Sequence, residues 1–297
     1  MQFMDIKNGR FYLGDCLEVM KEIPDGVVDM LLVDLPYGTT ACSWDSIIPL
    51  DELWKEYNRI CKENAAMVFT AAQPFTTALI ASNIKNFRYD WIWVKNGVTN
   101  VGNAKKMPLR NYESVVVFYR KPCLYNPQGL IYDPKKKKNG KSVGGETMRG
   151  DIESSANKGA LRTAGHEYVQ EYTNYPRQIL EIKQNSRNKI HPTQKPVELF
   201  EYLIRTYTNE GDLVLDNTAG SGTTAIAAEN TGRKWVCIEQ NEEYATKAVE
   251  RIWNHEIKPQ ESTSGVQIDS GIPIPEGEEN ANESIKTGVG TGATLRR

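Results

Sequence analysis

From Val27 to Val33 the chain is a near-continuous apolar run, VVDMLLV, that stops at Asp34. Such a run fits a strand buried on both faces of a parallel sheet, and a parallel sheet needs helices to cover it. The flanking sequence supplies them. Phe11 to Asp15 reads as a strand and Cys16 to Ile23 as a helix stopped by Pro24-Asp-Gly26. Asp51 to Lys62 places Leu53, Trp54, Tyr57, Ile60 and Cys61 on one helical face. Ala66 to Thr70 reads as a strand, Pro74 to Ser82 as a helix, and Tyr89 to Val94 and Ser114 to Tyr119 as strands. Further on, Val197 to Tyr207 predicts a helix and Leu213 to Leu215 a strand. Thr223 to Asn230 then predicts a helix closed by Gly232, Trp235 to Ile238 a strand, and Asn241 to about His255 a last helix with Asn241 as its N-cap. The alternation predicts an α/β fold.

Charge and cysteine usage narrow the class. The net charge of −2 does not by itself indicate a nucleic-acid partner, but the charges are uneven, with a basic middle and an acidic-leaning end. Five scattered cysteines with no C-x-x-C pair, and only three histidines, argue against a zinc site or a disulfide framework. The first residues lack the apolar core of a signal peptide, and no apolar run approaches membrane-spanning length. A reduced, soluble, cytoplasmic protein is the expectation. Between about Lys121 and Ser186 the pattern dissolves into glycines and polar residues around Lys135, Lys136, Lys137 and Lys138, and a structureless stretch of that length is usually functional or disordered. Beyond Lys258 the composition predicts a disordered tail.

Three motifs carry chemistry. The first, Asp34-Leu-Pro-Tyr37-Gly, sits where the buried strand ends, which in open α/β sheets is where ligands bind. The Asp34 carboxylate, with the carbonyl of Leu35 or Pro36, can accept both N–H bonds of an exocyclic amine and free its conjugated lone pair. Pro36 fixes the backbone, and Tyr37 offers a flat face for stacking on a base. The same residues also suit an ordinary strand-ending turn. The second motif, Asp216-Asn-Thr-Ala-Gly220-Ser-Gly222-Thr-Thr224, is a strand, Gly-rich turn and helix. Gly220 and Gly222 let a ligand approach the backbone, and Glu239 ends the next strand where a ribose diol would be held. The turn alone leaves a nicotinamide oxidoreductase open. The third, His191-Pro-Thr-Gln-Lys195-Pro196, opens a helix whose N–H groups, with Thr193 and Lys195, could hold an amino acid carboxylate, although by itself a plain helix start is the simpler explanation.

In this order the three motifs resemble the amino-methyltransferases of DNA, and more narrowly their β-class, over roughly residues 9 to 255. The stretch from Asp34 to Asp45, DLPYGTTACSWD, is similar to bacteriophage and prophage adenine methyltransferases. The resemblance implies a Rossmann-like, mostly parallel, seven-stranded doubly wound sheet. It implies a catalytic half at 1–120, a target-recognition insertion at 121–186, a cofactor-binding half at 187–257 and the tail at 258–297. It implies S-adenosylmethionine as cofactor, no metal, double-stranded DNA as partner, base flipping, and N6 of adenine as the target, with N4 of cytosine the alternative. It makes Asp34, Pro36 and Tyr37 catalytic and assigns Asp15, Thr193, Gln194, Lys195, Asp216, Gly220, Gly222 and Glu239 to the cofactor, Asp15 near its adenine. The lysine run would contact phosphates, unless it is a solvated loop. Two positions depart from the pattern. Leu35 replaces the usual proline at a position that contributes mainly backbone, and Asn217-Thr218 replaces the usual Pro-Phe that packs on the cofactor. A homodimer is common in the class, and a restriction endonuclease is a partner for some members; no residue here decides either. Methylation of RNA or protein, and a DNA-binding protein without turnover, are the remaining rivals. Aspartate at 34 argues against the protein substrate, and intact Asp34 and Tyr37 against the protein without turnover.

Overall fold

The computed structural model describes residues 2–38, 46–138, 167–184 and 190–256. In chain order the strands are β1 (Gln2–Ile6), β2 (Gly9–Leu13), β3 (Val28–Val33), β4 (Cys61–Ala71), β5 (Phe87–Thr99), β6 (Arg110–Phe118), β7 (Ile131–Lys138), β8 (Glu167–Thr173), β9 (Ile179–Glu181), β10 (Leu213–Asp216) and β11 (Lys234–Glu239). The helices are α1 (Cys16–Lys21), α2 (Leu50–Ile60), α3 (Phe75–Ser82), α4 (Val197–Tyr207), α5 (Thr223–Asn230) and α6 (Glu242–Trp253).

Nine of these strands form one sheet in the order β1-β2-β11-β10-β3-β4-β6-β5-β9. The seven from β2 to β5 are the expected core, and β1 and β9 widen it by one strand at each edge. Strand β3 confirms its apolar signature: Met30, Leu31, Leu32 and Val33 are all fully buried. Burial of side chains of this size stabilises by about 1.5–3 kcal/mol each. Alternate residues serve opposite faces. Met30 and Leu32 pack with Leu203 of α4, Ala227 of α5 and Ile252 of α6. Leu31 and Val33 pack with Val19 of α1, Tyr57 of α2 and Leu79 of α3. Helix caps follow the side chains the sequence offers. Asp15 accepts from the N–H groups of Leu17 and Glu18, and Asn241 accepts from that of Tyr244.

The two directions of winding meet at β3 and β10, which are adjacent and parallel. From β3 the chain crosses through α2 to β4 on one side; from β10 it crosses through α5 to β11 on the other. Their carboxyl ends therefore diverge into a crevice, the usual ligand position of such sheets.

The stretch from 121 to 186 corrects the sequence reading in part. It contains an antiparallel two-stranded ribbon, β7 with β8, and the short β9 that pairs parallel to β5. The lysine run lies in β7, opposite residues 167–170 of β8. A strand whose second half is four consecutive lysines has no apolar alternation there, so its pairing left no periodic signal. Residues 39–45, 139–166 and the tail from 257 lie outside the described residues, and with them most of the DLPYGTTACSWD stretch. No described helix is long and apolar enough to cross a membrane.

Candidate active site

A cleft of about 300 Å³ opens at the junction of β3 and β10, and all three motifs line it. Asp34, Pro36 and Tyr37 come from the end of β3; Asp216, Asn217, Thr218 and Gly220 from the end of β10; His191, Thr193, Gln194 and Lys195 from the turn before α4. Asp15 at the start of α1 and Glu239 at the end of β11 complete the far wall.

Asp34 is heavily engaged. Its Oδ1 accepts from the Tyr37 hydroxyl at 2.8 Å and from the Thr70 hydroxyl of β4. Its Oδ2 takes the Lys195 ammonium at 2.7 Å. Its main-chain carbonyl accepts from the Thr218 hydroxyl at 3.0 Å. The next residue, Leu35, buries its side chain in the core, so that position presents backbone to the cleft. The Tyr37 ring stacks on Phe75 of α3, with centroids 5.3 Å apart, and the same residue lines the cleft.

Lys195, which the resemblance assigns to the cofactor, lines the cleft and is tied to the first motif. Its ammonium bridges Asp34 and, at 3.4 Å, Glu113 of β6. Burial opposes its charge, but the two carboxylates outweigh burial and raise its pKa above the ordinary lysine value. Glu113 is also paired with Lys95 of β5. Burial disfavours its ionisation, yet Lys195 and Lys95 hold its carboxyl below the usual range. Thr70, Glu113 and Lys95 were not singled out from the sequence. The only trace there is a polar residue interrupting or preceding an apolar strand, as Glu113 precedes Ser114 to Phe118.

The Gly-rich turn is fixed from below. Asp216 accepts from the Thr224 hydroxyl at 2.5 Å and the Thr218 N–H at 3.1 Å, and burial raises its carboxyl to about 7. Glu239 accepts from the N–H groups of Gly220 and Asn241, both at 2.8 Å, and burial raises its pKa as well. Gly220 takes φ +49° and faces the His191 ring across the cleft mouth. Gly222 departs from the expected role. It adopts φ +70°, but a Cβ there would sit 2.9 Å from Ile252 of α6, and it does not line the cleft. Its missing side chain makes room for Ile252 of the neighbouring helix. Asn217 and Thr218, which replace the family's Pro-Phe, are structural ties: Tyr57 donates to Asn217 at 2.8 Å, and Thr218 reaches Asp34. In the third motif, Thr193 contacts the His191 ring and Gln194 accepts from the Ile190 N–H, so the turn is preformed before α4 begins at Val197. Among the described residues lining the cleft, the carboxyl groups of Asp15, Asp34, Asp216 and Glu239 stand against the ammonium of Lys195.

A doubly wound sheet with a polar, carboxylate-rich cleft at its switch point defines a Rossmann-like, small-molecule-binding architecture. Comparison with known proteins then identifies the family. Residues 28–250 match the family model for DNA methylase, so the chain belongs to the N6-adenine and N4-cytosine amino-methyltransferases of DNA. It is 26% identical over 258 residues to the Type II methyltransferase M1.MboII of Moraxella bovis, spanning 79% of this chain and 92% of that protein. It is 28% identical over 260 residues to the DNA adenine methyltransferase YhdJ of Escherichia coli, spanning 80% and 81%. The solved structure of the PvuII DNA methyltransferase, described as cytosine-N4-specific, superimposes with a TM-score of 0.59 at 19% identity, over 85% of this chain and 89% of that one. S-adenosylmethionine is the methyl donor of this chemistry, and the cleft suits it. Asp15, Thr193, Gln194, Gly220 and Glu239 all line the cleft.

Proposed function

We propose that the chain methylates N6 of adenine at a specific sequence in double-stranded DNA, on a base flipped out of the helix. The observation that carries the reading is Asp34. It is a carboxylate at the junction of β3 and β10, in one cleft with Gly220, Glu239 and Asp15. Bound there, S-adenosylmethionine supplies an electrophilic methyl group on a sulfur that leaves as a neutral thioether. Asp34 accepts one N–H of the target amine, and the backbone carbonyl of Leu35 or Pro36 accepts the other. Held this way, the nitrogen directs its lone pair along the line of displacement. Thr70 and Tyr37 orient the carboxylate by donating to Oδ1. The nitrogen then sheds a proton to Asp34 or to water. A cleft at a sheet edge does not reach a base inside a duplex, which is the reason for flipping.

Aspartate as the first motif residue supports adenine, as does the similarity to YhdJ. The similarity to the PvuII enzyme keeps N4-methylcytosine as the competing product. In this reading Asp15, Thr193, Gln194, Asp216, Gly220 and Glu239 serve the cofactor, and the β7–β8 ribbon carries phosphate contacts. Digesting DNA treated with the purified protein to nucleosides, and separating them by mass, tests the reading. N6-methyladenine is expected; N4-methylcytosine as the main product would overturn the choice of base and leave the family standing.

A further inference from the structure

The four groups behind the catalytic motif form a chain of alternating charge: Asp34, Lys195, Glu113 and Lys95. It is uneven. Lys195 lies 2.7 Å from Asp34 Oδ2 but 3.4 Å from Glu113 Oε2. Lys95 holds the other oxygen of Glu113, and Oε2 itself is fully buried without a hydrogen bond. A buried carboxylate oxygen without a donor is costly and rare. Here it faces the one ammonium that already bonds the catalytic aspartate. Lys195 also lies in the wrong place for catalysis. It occupies Oδ2 of Asp34, while Thr70 and Tyr37 hold Oδ1. An ammonium on that oxygen weakens it as an acceptor. It would also repel a nitrogen that becomes cationic as it takes the methyl group.

We infer that Glu113 is a positioning residue that takes the Lys195 ammonium onto Oε2 when the target amino group reaches Asp34, freeing the catalytic carboxylate to accept it. This rests on the proposed amine substrate, whichever base carries it. The movement needed is small, because the ammonium already sits within ion-pair distance of both carboxylates. No charge is created or buried by the transfer; one carboxylate replaces the other as partner.

The test is single-turnover transfer of tritiated methyl groups to plasmid DNA from a methylation-free host. It compares the wild type, Glu113→Gln, Lys195→Met and the double variant, with cofactor affinity measured by titration calorimetry. Glu113→Gln should slow transfer by about tenfold or more, because Lys195 then has no second anion to move to. Its affinity for S-adenosylmethionine should stay within about twofold of the wild type. Adding Lys195→Met to Glu113→Gln should restore part of the lost rate, since the ammonium that blocks Asp34 is gone. A structural role for Glu113 predicts no such rescue. If Glu113→Gln does not fold, Glu113→Asp keeps the charge one methylene short and should retain most of the rate. Wild-type rate in Glu113→Gln, no rescue in the double variant, or loss of most of the rate in Glu113→Asp when Glu113→Gln does not fold, overturns the inference while methyl transfer by the wild type still supports the proposed function. No transfer by the wild type defeats both.

Discussion

The Thr218 hydroxyl donates to the main-chain carbonyl of Asp34 across 3.0 Å, joining the loop after β10 to the end of β3. The Gly-rich turn and the first motif are thus tied directly to each other, although 184 residues separate them. Thr218→Val keeps the shape and removes the donor. It should cost about 1 kcal/mol, a fall of about 2–4 °C in melting temperature, and lower the transfer rate. Thr218→Ser should behave as wild type. A valine variant with unchanged rate and melting temperature would make the bond incidental.

Asp34→Ala should abolish methyl transfer and leave cofactor binding nearly intact. In the proposed reading Asp34 meets the target amine, and the Gly220 turn is held separately through Glu239 and Asp216. Lys195 keeps Glu113 as a partner, so the folded state should survive. Titration calorimetry and a tritium assay together check it. Loss of both properties in a folded variant would end this division of labour.

Burial raises the Asp216 carboxyl from its ordinary value of 3.8 to about 7. The folded chain then holds a proton that the unfolded chain releases between about pH 4 and 7. This group therefore lowers stability progressively as pH rises through that window. Asp216→Asn removes the titration, and its melting temperature should fall less than that of the wild type between pH 5 and 7.5. Parallel profiles for the two proteins would assign the slope to other groups.

Gly222→Ala should destabilise the fold without entering the cleft. It strains a residue at φ +70° and brings a Cβ to 2.9 Å from Ile252. The combined cost is about 1–3 kcal/mol. Ile252→Ala should recover the steric share in the Gly222→Ala background, though it loses core packing alone. Thermal melts of the four proteins form a double-mutant cycle, and strict additivity would count against the contact.

Replacing Lys135, Lys136, Lys137 and Lys138 with Gln should weaken DNA binding at all sequences about equally. It should also make the slope of log affinity against log salt shallower, by about 0.9 for each phosphate that the ribbon no longer neutralises. Lys135 already pairs with Asp133 at 2.6 Å, so its share should be the smallest. An unchanged slope would leave the ribbon without a role on phosphate.

By itself the sequence determined the α/β class, most element positions and the residues of all three motifs. Each rests on local information: an apolar run, a helical face, a turn residue or a short pattern of chemistry-bearing side chains. Val197–Tyr207 and Thr223–Asn230 are helices to the residue for that reason. Only the tertiary structure decided what those residues touch. Lys195 was legible as part of a motif, but its place on Asp34 depends on where the turn before α4 meets the end of β3. Gly222 was legible as a turn glycine, but its neighbour is α6, which follows 20 residues later in the chain. Glu113, Thr70 and Lys95 reach the site through the register of β6 against β4 and β5, in which Ser114 pairs with Ala71 and Glu113 with Trp93. Strand register is set by packing and hydrogen bonding between segments distant in sequence, so no local pattern encodes which strand residue stands behind a catalytic carboxylate.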